Sequence, residues 1–204
     1  MVRGTLERVV DPEKLERVFS DHALLHYTRA LTFAQCVGLR SDVVFGLVPR
    51  GGAGDKAPHD EGPVPRQAGY DKLKRLELPT AAGLVADAGR EVGACLQQMP
   101  SPPSPVLPGY RVRVLDGNHL AGTEHRVKAL RRSRAAALPG HALVFYDPQW
   151  EVATEVSPCE DAYAQERSLL PEVVPMVAKQ DCIVAERKFC TLGYLASRGR
   201  ARCV

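Results

Sequence analysis

Arg111-Val112-Arg113-Val114-Leu115-Asp116 is the stretch on which the fold turns. Its side chains alternate with a period of two, which places Val112, Val114 and Asp116 on one face of a strand. Ala142–Tyr146 is an apolar run, and Asp147-Pro148-Gln149 supplies a turn after it. Trp150, Val152, Thr154 and Val156 then alternate against Glu151, Ala153 and Glu155, which predicts a hairpin with Trp150 anchoring its core. Glu160–Ala178 has a helical pattern with breaks at Pro171 and Pro175. Cys182-Ile183-Val184-Ala185 is short and wholly apolar, the pattern of a strand buried on both faces. The order is strand, helix or loop, hairpin, helix, strand. It predicts a mixed α/β (α+β) sheet with flanking helices.

Upstream of this sheet the period is helical. Pro100-Ser101-Pro102-Pro103-Ser104-Pro105, with Pro108 beyond, excludes helix and central strand and is expected to be a linker over 100–108. Asp11-Pro12 has the form of a helix start, with Leu15, Val18 and Phe19 following at helical spacing. A second helix is expected from about His22 to Val44. It carries His22 and His26 at i, i+4, where a packed or solvated pair is expected over a metal site. Residues 46–69 are rich in Gly and Pro, lack any period, and are expected to form a poorly ordered loop. Within them Gly51-Gly52-Ala53-Gly54-Asp55-Lys56 lacks the Gly-Lys-Ser/Thr ending of a phosphate loop. Helical signals return at Tyr70–Leu78, and Thr80 is placed to cap a further helix to about Met99. A helical region over 1–99 and a sheet domain over 109–195 are therefore expected, with a tail at 196–204.

Composition narrows the function without choosing it. The 204 residues are 45% hydrophobic, enough for an ordinary core, and carry a net charge of +3. A mild excess of Lys and Arg permits a nucleic-acid partner and does not demand one. No apolar run reaches the ~18 residues of a membrane span. The Met1-Val2-Arg3-Gly4 start has no apolar signal core, so a cytoplasmic location with no membrane partner is expected. Cysteines 36, 95, 159, 182, 190 and 203 form no C-x-x-C pair. They are expected to be free thiols or small buried hydrophobes.

Two acids stand at the ends of apolar strands, Asp116 and Glu186. Carboxylates on neighbouring strands are a familiar way to hold Mg²⁺, which takes oxygen ligands in tight octahedral geometry. A pair of such ions can activate an attacking oxygen and stabilise a leaving one at a phosphate. Strand-end acids also occur in ordinary turns, and the pattern is weak by itself.

The local sequences add to it. Leu115-Asp116-Gly117-Asn118-His119-Leu120 is followed by Gly122-Thr123-Glu124-His125-Arg126, then Pro158-Cys159-Glu160-Asp161, Ala164-Gln165-Glu166-Arg167-Ser168-Leu169-Leu170 and Ala185-Glu186-Arg187-Lys188-Phe189-Cys190-Thr191. In this combination and order they resemble the catalytic core of bacterial insertion-sequence transposases of the DDE type, in the insertion-sequence-four group. The likeness is close over about 108–195 and recognisable over Leu15–Leu47 and Tyr70–Met99. It implies a ribonuclease-H-like domain, whose first acid lies on the first strand and whose second ends the neighbouring fourth. It implies DNA transposition by metal-dependent phosphoryl transfer at insertion-sequence ends, with Mg²⁺ or Mn²⁺ as cofactor. Asp116 becomes the first catalytic metal ligand. Position 186 becomes the second, where the family has Asp and this chain has Glu.

The departures bear on activity. Glu186 reaches one methylene further than Asp, and an error of about 1 Å costs ~100-fold in rate. The family's third ligand is a Glu on a helix further downstream, in a motif with Tyr, Arg and Lys that these residues do not contain. The chain is expected to be a truncated, catalytically impaired copy, with 46–69 and 196–204 unlike the family. The alternative is a non-catalytic DNA-binding or dimerising remnant that modulates intact transposase. Arg126, Lys128, Arg131, Arg132 and Arg134 put five cations in nine residues. They suit either DNA phosphates or a solvated helix face, and Arg187 and Lys188 extend the candidate DNA-binding set. Thr123, Glu124 and His125 carry the resemblance around the first acid. His119 and His125 are expected to be neighbouring polar structure, and Glu166 and Arg167 to form ion pairs or hold the site. Arg198, Arg200 and Arg202 are expected in a disordered tail.

Overall fold

The computed structural model describes residues 2–24, 31–44, 76–120, 140–159, 161 and 164–189. The chain divides into two compact units, Met1–Leu84 and Val85–Val204. The division falls inside a long helix rather than at the proline-rich stretch.

In the first unit, α1 (Val2–Val9) precedes α2 (Pro12–His22). The carboxylate of Asp11 accepts from the Lys14 N–H and Pro12 opens the helix, as the sequence predicts. The expected His22–Val44 helix is not formed. Ala23 is extended (φ −73°, ψ 133°) and ends α2. A new helix, α3 (Phe33–Val44), begins with a reciprocal cap that the sequence reading missed. The Thr32 N–H donates to Gln35 Oε1 at 2.9 Å, and the Gln35 N–H donates to Thr32 Oγ1 at 3.2 Å. This is the capping box of a Thr-x-x-Gln sequence. Glu16 of α2 accepts from the Ala34 N–H at 2.7 Å, putting an anion at the positive end of α3. Phe19 and Phe33 stack at 5.4 Å above buried Leu15, Val18 and Cys36. His26, the 46–69 loop and residues 70–75 lie outside the described residues.

Helix α4 (Leu78–Gln97) begins two residues before Thr80. Thr80 is therefore not its cap. It sits inside the first turn, fully buried, with its hydroxyl unpartnered in the described structure. The C-terminal part of α4 belongs with the sheet. A Cβ at Gly89 would fall 2.8 Å from the Ala153 carbonyl oxygen, and one at Gly93 would fall 2.4 Å from the Trp150 ring.

The described residues of the second unit form a four-stranded mixed sheet, and the protein is a mixed α/β one. The strands are β1 (Arg111–Leu120), β2 (Gly140–Asp147), β3 (Val152–Cys159) and β4 (Asp181–Ala185). They lie in the order β3-β2-β1-β4, antiparallel except for β1 and β4, which are parallel. The hairpin falls where the alternation predicts. The Asp147 carboxylate accepts from the Gln149 and Trp150 N–H groups, and Glu151 adopts a positive φ of 53° in the turn. The expected 160–178 helix is shorter and broken. Its described part is Glu166–Leu169, Leu170–Val173 and Val174–Met176, 3-10 turns around a single α turn. Pro171 and Pro175 each remove an amide donor, so a long hydrogen-bonded run is not available.

One face of the sheet carries the core. Leu115, Leu143 and Phe145 pack against Leu169, Leu170, Val173 and Phe189. The face of β1 turned most deeply inward is therefore that of Arg113 and Leu115, opposite Val112 and Val114. Arg113 is 0% exposed. Its guanidinium donates to Asp181 at 3.0 Å and to the Met176 carbonyl at 2.9 Å, and it pairs with Glu155. It also lies 4.0 Å over the Phe145 ring. Strand β4 departs from the reading as doubly buried. It pairs only with β1 in the described sheet, and Val184 is 51% exposed.

Two stability outcomes follow from this packing. Arg113→Met leaves Asp181 buried without its cation and should cost about 3–5 kcal/mol, as loss of one member of a buried pair does. The readout is the urea midpoint at unchanged slope, and a cost below ~1 kcal/mol would refute a structural role. Gly89→Ala should cost about 1–3 kcal/mol because the added methyl meets backbone that cannot yield. Gly4→Ala, in α1 with no atom within 4 Å of the new Cβ, should be neutral or stabilising.

Candidate functional site

The strand register brings two acids together. The parallel ladder of β1 and β4 runs from Arg111 opposite Asp181 to Leu115 opposite Ala185. Asp116 and Glu186 are the next residue on each chain. Asp116 is not at the end of its strand, since β1 continues to Leu120 along β2. It stands only where the pairing with β4 stops. The five-residue β4 is half the length of β1, and Glu186 follows it directly.

Glu166 and Lys188 form a separate group with Glu186. Glu166 opens the helical segment that covers the core face. Its carboxylate lies over Gly117, where a Cβ would sit 2.4 Å from Glu166 Cδ. The position beside Asp116 therefore has to be glycine for Glu166 to occupy its place. Lys188 stands in the 3-10 turn Arg187–Phe189 after Glu186. The Phe189 N–H donates to the Glu186 carbonyl at 2.9 Å, and the fully buried Phe189 ring anchors the turn in the core. From this turn the Lys188 ammonium reaches Glu166 Oε2 at 2.7 Å and Glu186 Oε2 at 2.9 Å. Glu166 first and Glu186 second hold the Lys188 ammonium well above the ordinary lysine range. It is a cation at any physiological pH.

Asp116 is exposed, and its Oδ1 accepts from the Gly117 N–H at 2.8 Å. The other expected site residues are dispersed. His119 is exposed and meets His141 of β2 edge-on, with ring centroids 4.9 Å apart, a cross-strand pair. Arg167 and Arg187 are exposed. Thr123, Glu124, His125, Arg126, Lys128, Arg131, Arg132 and Arg134 lie outside the described residues. Lys188, expected among DNA contacts, faces two carboxylates. Glu166, expected to form ion pairs or hold the site, pairs with Lys188. The reading of the residues did not single out Gly117 as part of the site. The signal for it, a glycine directly after a strand acid, appears only once the covering helix is in place.

The residues do not fit a divalent ion as they stand. Among the described residues no group of three or more His, Cys, Asp or Glu side chains is placed to hold a metal. The place between Glu166 and Glu186 is taken by an ammonium group. The arrangement binds a monovalent cation supplied by the chain itself.

Comparison with protein-family models, curated proteins and solved structures finds no match for the chain. Among the described residues no helix is long and apolar enough to cross a membrane.

Gly117→Ala should push the Glu166 carboxylate off its place. Because that group is the far end of a flexible side chain, global stability should fall by no more than about 1 kcal/mol. The coupling between Glu166 and Lys188, taken from a double-mutant cycle, should drop towards zero. Unchanged coupling would show that the glycine does not position Glu166.

Proposed function

We propose that the chain is a transposase-family protein of the DDE kind that binds DNA and whose own phosphoryl-transfer chemistry is impaired. The observation that carries this reading is the parallel pairing of β1 with β4, with Asp116 and Glu186 following the last paired residues, Leu115 and Ala185. Ligand sites in sheets with parallel strands gather at the carboxyl ends of those strands. A pair of acids there is what the sequence likeness to insertion-sequence transposases calls for. The intact relatives use such acids to hold metal ions at insertion-sequence ends.

The occupation of Glu166 and Glu186 by Lys188 favours a non-catalytic working state. A chain that binds DNA, alone, as a homo-oligomer or with an active transposase, would compete for element ends without cutting them. The basic run from Arg126 to Arg134 supplies the candidate phosphate contacts, since phosphate neutralisation gives most sequence-independent affinity.

The test has two arms. Fluorescence anisotropy on a labelled duplex should give affinity that falls with salt, with a log–log slope of about −4 to −5 if the five cations of that run all meet phosphates. Binding that ignores salt, or no binding, overturns the DNA reading. Incubation with a plasmid carrying the coding sequence and its flanks, in Mg²⁺ or Mn²⁺, should give no cleavage above background. Robust cleavage that disappears in Asp116→Ala would overturn the impairment.

A further inference from the structure

We infer that Lys188 is a tethered counter-cation that bars a divalent ion from the carboxylates of Glu166 and Glu186. The inference deepens the proposed function at the same site, because it names what sets the cation specificity there. It shares with that reading only the residues.

The place between the two glutamates is held from three sides. Glu166 belongs to a helical segment whose Leu169, Leu170 and Val173 are buried, and its carboxylate rests on Gly117. Glu186 follows β4, fixed by the parallel ladder to β1. Lys188 is only two residues further, on a turn locked by buried Phe189. The ammonium lies 2.7 Å from one carboxylate and 2.9 Å from the other, within the range of charge-assisted hydrogen bonds. These oxygens are therefore already engaged by a cation that is part of the chain.

A dication entering this place meets two obstacles. The carboxylate oxygens nearest it are ion-paired with Lys188, and Mg²⁺ demands several oxygen ligands in near-octahedral geometry. If Lys188 is displaced, the short tether keeps its charge within a few ångströms of the metal, where like charges repel. Lys188 is partly exposed, so its side chain has room to move, but its backbone does not leave the site. Removal of the ammonium leaves the Glu166 and Glu186 carboxylates facing one another with no cation between them, and carboxylate oxygens are the ligands a hard divalent ion prefers.

The experiment is Mn²⁺ binding to the full chain, followed by the loss of free-ion electron paramagnetic resonance signal, with no DNA present. Lys188→Met should bind Mn²⁺ at least about tenfold more tightly than the unsubstituted chain. Lys188→Arg, which keeps the cation, should stay at the unsubstituted level. Adding Glu166→Gln to Lys188→Met should remove the gain. Thermal unfolding checks that each variant is folded, and Lys188→Gln carries the same expectation should methionine disrupt the turn. Equal Mn²⁺ affinity in the unsubstituted and folded charge-removed chains overturns the inference, as does a gain that survives Glu166→Gln. Because DNA is left out, a chain that fails to bind DNA still gives a decisive answer here.

Discussion

A guanidinium with no access to water constrains the rest of the sheet domain. Burying an unpaired charge is so costly that Arg113 is tolerable only because both its Nη groups meet acceptors, its Nε having none among the described residues. Those acceptors come from separate parts of the chain: Asp181 at the start of β4, Glu155 and Thr154 on β3, and the Met176 carbonyl before β4. Satisfying Arg113 therefore gathers β1, β3 and the approach to β4 at once. Asp181 also accepts from the Ala178 N–H at 2.9 Å, which fixes the turn into the strand. With Asp181 placed opposite Arg111, the parallel register is set for the remaining pairs. Its last pair, Leu115 with Ala185, is what brings Asp116 beside Glu186. The position of the candidate site is thus a consequence of a buried ion pair at the far end of the same strands.

At the site end the electrostatic problem is reversed. Glu166 and Glu186 approach one another, and the like charges need a cation between them. Lys188 supplies it from the turn that follows β4. A metal ion would serve the same electrostatic purpose, and the difference between the two is chemical. An ammonium neutralises carboxylates and donates hydrogen bonds, but it has no vacant coordination position with which to polarise a phosphate.

Several features were legible in the sequence because they depend on neighbours only a few residues apart. The Asp11 cap, the hairpin around Asp147-Pro148-Gln149 and the breaks at Pro171 and Pro175 each follow from local backbone chemistry. Asp116 and Glu186 were identifiable as acids at the ends of apolar runs. The misreadings are also local. The Thr32–Gln35 capping box goes unread, so the second helix is expected from about His22 instead of Phe33. Thr80 was taken for a cap although α4 starts at Leu78. The Cys182–Ala185 run reads as doubly buried, because an apolar strand at the border of the described sheet has the same sequence pattern as a central one.

The sequence by itself determined the mixed α/β class, the period of β1 and β3 and the two acids that could form a site. These are set by side-chain alternation and turn chemistry, which act over a few residues. Only the tertiary structure decided that the Arg113 face of β1 points inward, that β1 and β4 pair in the register of Leu115 with Ala185, and that Lys188 rather than open space separates Glu166 from Glu186. Those outcomes depend on charges far apart in the chain finding partners in a place without water. An alternating strand pattern states which residues share a face, and it cannot state which face the rest of the chain will bury.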